Sequence, residues 1–281
     1  MLAVAWAINV LLGYGVAGLG IALVVVVIGT SAAYWKSDAV ALAMSHARPA
    51  DPVEQARLHN LVEGLCIAGG LPKPRIYIVD DPSPNAFATG RDPKHAAIAV
   101  TTGLLEKMNR VELEGVLAHE LSHVKNYDIL VSTLAVTLVG VIVLMSDFAL
   151  RFLWWGGPRA RDREREDGGG PQAIFAIVGI VLLLLAPLAA RLMQFAVSRR
   201  REALADISGV AMTRYPPGLI AALEKLKDDT TVVQSSSRAT AHLWIESPLA
   251  RTKEEGRLSR LNRLFDTHPP LEERIQALKE L

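Results

Sequence analysis

Two long apolar runs, Ile129 to Leu150 and Ala173 to Val197, constrain this chain more than any other feature in it. As helices, both are long enough to cross the roughly 30 Å hydrocarbon core of a bilayer. Both are nearly free of charge, with Asp147 in the first and Arg191 in the second. Pro187 can kink the second run, which membrane helices tolerate. Read as a transmembrane hairpin, the runs leave and return on one side, so residues before Ile129 can meet residues after Val197. The competing reading is a buried helical hairpin in a soluble core. Composition favours the membrane, because 51% of the 281 residues are hydrophobic and only 21% are charged.

The second constraint lies just before the hairpin, in Val116-Leu-Ala-His119-Glu120-Leu-Ser-His123. Good helix formers and apolar flanks place it on a helix. Spaced four apart, His119 and His123 leave the same face and can both reach one zinc ion. Glu120 stands beside the pair, where it can serve as a base toward water. A chance match on a histidine-bearing helix is the bland alternative, and the partners found downstream count against it.

A zinc held by two histidines for catalysis needs a third protein ligand and one open position. After the second apolar run comes Arg199-Arg-Arg-Glu202-Ala-Leu-Ala-Asp206, again in a helix-forming stretch. Glu202 is the candidate third ligand. Asp206, one turn on, is placed to accept a hydrogen bond from a ligating imidazole and fix its tautomer. The alternative is a surface helix in which arginines and acids form salt bridges.

The rest of the chain supports this frame. Residues 1–35 contain no charged side chain, and their strongest part, Gly18 to Tyr34, approaches a bilayer span. One tilted span is preferred over a short hairpin. A cleaved signal peptide is disfavoured by the length of the run and the lack of a basic start. Lys36, Arg191 and Arg199 to Arg201 tilt the soluble part toward the cytoplasm under the positive-inside rule. The expected organisation is an anchor at 1–35, a first catalytic part at 36–128, a hairpin at 129–198 with a polar loop at 156–172, and a second catalytic part at 199–281. Within the first part, helical spacing runs from Asp51 to Ala68. Strands are expected at Arg75–Val79, Asn85–Gly90 (an exposed edge) and Ala96–Thr101, followed by a short helix at Gly103–Asn109. Arg110 then opens the histidine helix, which continues toward the membrane. The fold class is α+β and mostly helical, with a small sheet and transmembrane helices. Cys66 is the only cysteine, which excludes an internal disulfide and a thiolate metal cluster. A net charge of +1 gives no reason to expect nucleic acid as a partner.

These residues resemble the HtpX-type membrane zinc metalloproteases. The similarity rests on Asp81-Pro-Ser-Pro-Asn-Ala-Phe-Ala-Thr-Gly90, His119-Glu-Leu-Ser-His-Val-Lys-Asn-Tyr-Asp128, Arg201-Glu-Ala-Leu-Ala-Asp206, Thr240-Ala-His-Leu-Trp244 and Thr267-His-Pro-Pro-Leu-Glu-Glu-Arg-Ile275, which stand in family order. It implies a zincin-like domain interrupted by a membrane hairpin, with one zinc held by His119, His123 and Glu202 and Glu120 as acid/base. It also implies endoproteolysis of misfolded or membrane proteins at the cytoplasmic face of the cell membrane. The N-terminal membrane region is shorter than the two spans common in that family.

Three further residues are candidates for contact with substrate or with the transition state. His268 and Arg274 can supply a donor for the developing oxyanion; as alternatives, His268 begins a turn into a helix and Arg274 is an ion-pair partner. Asn85 opens a strand edge on which substrate can pair. Two other functions compete with general endoproteolysis. One is a specific processing peptidase of the CAAX-endopeptidase type. The other is a non-catalytic membrane adaptor retaining zinc, although such sites are usually closed by four protein ligands.

Overall fold

The structure, a computed structural model, describes residues 34–36, 38–134, 199–229, 231, 244–245 and 270–281. The expected N-terminal anchor up to residue 33, most of the expected hairpin and His268 lie outside the described residues. Among the described residues no helix is long and apolar enough to cross a membrane. Residues 36–136 and 192–281 form one compact unit.

Helix α1, Ala56–Gly69, buries Leu58, Leu61, Val62 and Leu65 along one face and stops at Gly70, whose φ of 67° is left-handed. It starts five residues later than the apolar spacing suggests. The Asp51 carboxylate accepts from the backbone N–H groups of Val53 and Glu54, and this local turn competes with a helical start.

Four strands follow one another in a small mixed sheet: β1 (Arg48–Pro49), β2 (Arg75–Val79), β3 (Ala86–Gly90) and β4 (Ala96–Thr101), arranged β1-β2-β4-β3. β2 and β4 are parallel, with Ile76 opposite Ile98, and β3 runs antiparallel to β4, with Ala88 opposite Ile98. Every residue of β4 is buried, as a central strand covered on both faces requires. Ile98 and Val100 join α1 and the histidine helix in the main core. Ala97 and Ala99 face a smaller cluster with Phe87, Leu42 and Trp244.

β3 is last in the sheet, yet its edge is not the exposed one expected from sequence. All five of its residues are buried. The Ala86 carbonyl accepts from the Ile245 amide at 3.0 Å, and the Gly90 amide donates to Thr133 Oγ1 at 3.1 Å. Residues distant in sequence thus cover an edge that local alternation leaves open.

After α2 (Thr102–Lys107), helix α3 (Arg110–Lys125) forms the centre of the unit. Its start is fixed by a capping box: Asn109 Oδ1 accepts from the Val111 and Glu112 amides, and the Glu112 carboxylate accepts from the Asn109 amide. Eleven of its sixteen residues are buried, because it packs between the sheet and three helices, α1, α4 (Arg199–Thr213) and α5 (Pro216–Asp228). α6, Leu271–Lys279, packs on α4 and α5 and completes the described unit. The observed class is α+β, mostly helical with a small mixed sheet.

Candidate metal centre

The site forms where α4 crosses α3, and a glycine allows the crossing. A Cβ on Gly209 would lie 3.0 Å from the His119 amide nitrogen and 3.2 Å from the Ala118 carbonyl carbon. With hydrogen there instead, α4 lies against the backbone of α3 at the histidine. Glu202 and Asp206 lie seven and three residues before Gly209, two and one helical turns back, and so share the face turned to α3. Both are buried.

At the crossing, three side chains converge through acceptor atoms. His119 Nε2 lies 3.2 Å from His123 Nε2. Glu202 Oε2 is 3.5 Å from His119 Nε2, and its Oε1 is 3.5 Å from His123 Nε2. Ligands bound tetrahedrally at about 2.0–2.1 Å are about 3.3–3.4 Å from one another. The observed spacings therefore suit a single metal ion.

The other ring nitrogens show why these are acceptors. His119 Nδ1 lies 2.8 Å from Asp206 Oδ1, and His123 Nδ1 lies 3.0 Å from Asp128 Oδ2. A carboxylate can only accept, so each Nδ1 carries the hydrogen and each Nε2 presents its lone pair. Two lone pairs and a carboxylate directed at one point repel one another unless a cation lies between them. That is the chemistry of a metal site, and the residues present fit one.

Arg274 organises the far side. Its Nε donates to Asp206 Oδ2 at 2.9 Å and its Nη2 to Asp206 Oδ1 at 2.6 Å, a two-pronged grip on a buried carboxylate. Nη1 lies 3.8 Å from Glu202 Oε2. Burial works against charge on Asp206, but Arg274 and His119 outweigh it and hold its carboxyl down at about 2. For His119, burial and the nearby Arg274 oppose protonation, yet Asp206 and Glu202 prevail and raise its pKa to about 9. The site calls for positive charge at Nε2, which a proton or a metal ion can supply. Burial also opposes the charge of Arg274, and the surrounding carboxylates of Asp206, Glu202 and Glu120 more than offset it.

Glu120 is 2% exposed and adjoins the first histidine on the buried stretch of α3. His123 is more open, with 15% of its side chain exposed, which leaves this edge of the site within reach of solvent. Arg274, expected as either an oxyanion donor or an ion-pair partner, is placed as the partner of Asp206. Asn85 is buried at the start of β3, where its amide donates to Thr101 Oγ1 and its Oδ1 accepts from the Ala86 amide. These contacts belong to the sheet.

Sequence reading missed two residues, Asp128 and Gly209. Asp128 was legible only as the end of the Asn126-Tyr-Asp128 stretch, five residues beyond His123, where helical spacing would put it on another face. The backbone changes that, as Tyr127 adopts φ 60°. For Gly209, a glycine inside a helical pattern was itself the available signal of close approach.

Comparison with known proteins gives the family. The model of peptidase family M48 matches residues 52–281. A protease HtpX homolog of Thermoanaerobacter pseudethanolicus is 45% identical over 268 residues, covering 95% of this chain and 86% of that protein. One from Tropheryma whipplei (strain TW08/27) is 52% identical over 248 residues, covering 88% and 80%. The crystal structure of S. mikatae Ste24p is similar in fold, with a TM-score of 0.51 at 18% identity, over 91% of this chain and 57% of that longer one.

Proposed function

The chain belongs to peptidase family M48, and on that premise we propose that it is a membrane-embedded zinc endopeptidase acting on misfolded or membrane proteins at the cytoplasmic face. It is a metallopeptidase; zinc, the membrane setting and the class of substrate are the parts of the reading added here. The observation that carries it is the convergence of His119, His123 and Glu202, spaced for one tetrahedral ion, beside the buried Glu120.

His119, His123 and Glu202 would hold the ion, with Asp206 and Asp128 fixing which ring nitrogen faces it. Three nitrogen and oxygen ligands with one position left open are the usual set for catalytic zinc. When bound, zinc supplies a Lewis acid that polarises the substrate carbonyl and brings the pKa of water down to about 7. Glu120 takes the proton from the attacking water and passes it to the leaving amine as the peptide bond breaks. Its burial in a weakly screened setting strengthens each of these charge interactions. Arg274 holds Asp206 in place with two hydrogen bonds and lies 3.8 Å from Glu202 Oε2. A zinc-retaining adaptor without activity has less support, because structural sites are usually closed by four protein ligands and three converge among the described residues.

The membrane setting is supported by the apolar runs at 1–35, 129–150 and 173–197 and by the resemblance to the HtpX-type membrane metalloproteases. The test is proteolysis of casein and of an unstable membrane protein by the full chain purified in detergent. Chelator-sensitive cleavage, restored by zinc and absent in Glu120→Gln, is the expected result. Cleavage by Glu120→Gln at the parental rate would defeat the reading.

A further inference from the structure

We infer that Asp128 is a positioning residue of the metal centre, aimed back at His123 by a left-handed turn at Tyr127. The inference rests on the proposed reading of the site as a zinc centre. An uninterrupted helix would carry Asp128 to a face 500° around from His123, or about 140° away after a full turn. The chain instead leaves α3 at Asn126, whose amide donates to the Ser122 carbonyl at 2.9 Å, and Tyr127 takes φ 60°. That region is uncommon for an aromatic residue without glycine's freedom. Helical structure then resumes at Asp128 and runs through residue 134.

The break returns the Asp128 carboxylate to the imidazole at 3.0 Å. An aspartate at the first residue of a helix ordinarily serves the helix start, by charge or by bonding its own backbone. Here Oδ2 goes to His123 instead, and the residue is only 7% exposed. The second oxygen faces Arg201, whose Nε lies 3.7 Å from Oδ1, next in sequence to Glu202. Arg201 Nε and Nη2 make no hydrogen bond among the described residues, so the guanidinium acts toward Asp128 as a charge partner. Each histidine thus has a carboxylate at Nδ1 with an arginine near that carboxylate: Asp206 hydrogen-bonded by Arg274, which also lies 3.3 Å from His119 Nδ1, and Asp128 with Arg201 at 3.7 Å. A carboxylate at this place fixes the tautomer, orients the ring and raises the basicity of the ligating nitrogen.

The test uses the full chain in detergent, as wild type, Asp128→Asn and Asp128→Ala. Zinc affinity is read by competition with a chromophoric chelator, and site geometry by the visible spectrum of the cobalt-substituted protein. Asp128→Asn keeps the size and loses the charge, and should bind zinc about tenfold more weakly; Asp128→Ala should approach a hundredfold. Cobalt bands should shift in both, while the chelator-treated variants melt at the wild-type temperature. Parental zinc affinity with an unchanged cobalt spectrum in Asp128→Asn would overturn this inference alone. Wild-type protein that takes up no zinc would overturn the zinc reading, and this inference with it.

Discussion

Helix α3 buries charge at both of its ends, and the two burials obey opposite rules. At the first turn, Glu112 is 5% exposed and is met by donors: the Asn109 amide at 2.8 Å and the Lys225 ammonium at 2.7 Å. Two turns later, His119, His123 and Glu202 meet one another through acceptors. The first set is electrically closed and needs nothing more. In the second, the Arg274 guanidinium lies behind Glu202 at 3.8 Å, and the three acceptors still face one another at the spacing of ligands to one metal ion. Buried charge alone therefore does not mark the site; what marks it is whether the converging atoms are of one kind.

The sharpest way to break the contrast is Glu120→Gln. It removes a proton acceptor and little else, and should lower kcat on the order of 10²–10⁴-fold while metal content by elemental analysis stays at wild type. The corresponding change at the other end, Glu112→Ala, should do the reverse. It leaves the Lys225 ammonium and the Asn109 amide without their acceptor, at a cost of about 1–3 kcal/mol in chemical denaturation, with zinc affinity unchanged. A matching loss of metal there would show that the two ends are coupled.

Acid tests the metal-site end. The Asp206 carboxyl is held at about 2 in the folded protein against 3.8 ordinarily. A depressed carboxylate contributes stability that is present above about pH 4 and is lost as the pH falls through 2. The amount is on the order of 2 kcal/mol, and Asp206→Asn should flatten the acid limb of a stability–pH curve recorded with chelator present. The smallest expected effect belongs to Gly209→Ala, whose methyl would press on the His119 backbone at 3.0 Å. It should cost about 1 kcal/mol of stability and weaken zinc binding by an amount that chelator competition can resolve.

Much of the site could be read from residue order. Four-residue spacing puts two imidazoles on one face, and reading the paired apolar runs as a hairpin is what allows residues beyond 198 to be sought as partners of the histidines. The need for a third ligand then directs attention to Glu202. What could not be read depends on backbone geometry and on contacts between distant segments. Asp128 faces His123 only because Tyr127 leaves the helical region, and an aromatic residue there gives no hint of it. Arg274 lies 68 residues from its partner Asp206, a distance over which no local pattern speaks. The strands fell where β-branched content placed them, because β2 and β4 are buried on terms local sequence can express. The closure of the β3 edge by Ile245 and Thr133 depends on chain brought in from elsewhere.

Glu202 follows the histidines in sequence by the whole intervening segment, 129–198. A ribosome that has finished the histidine helix has therefore made only two of the three residues that could hold a metal. Hydrolytic power is withheld from the nascent chain until synthesis has passed the second apolar run.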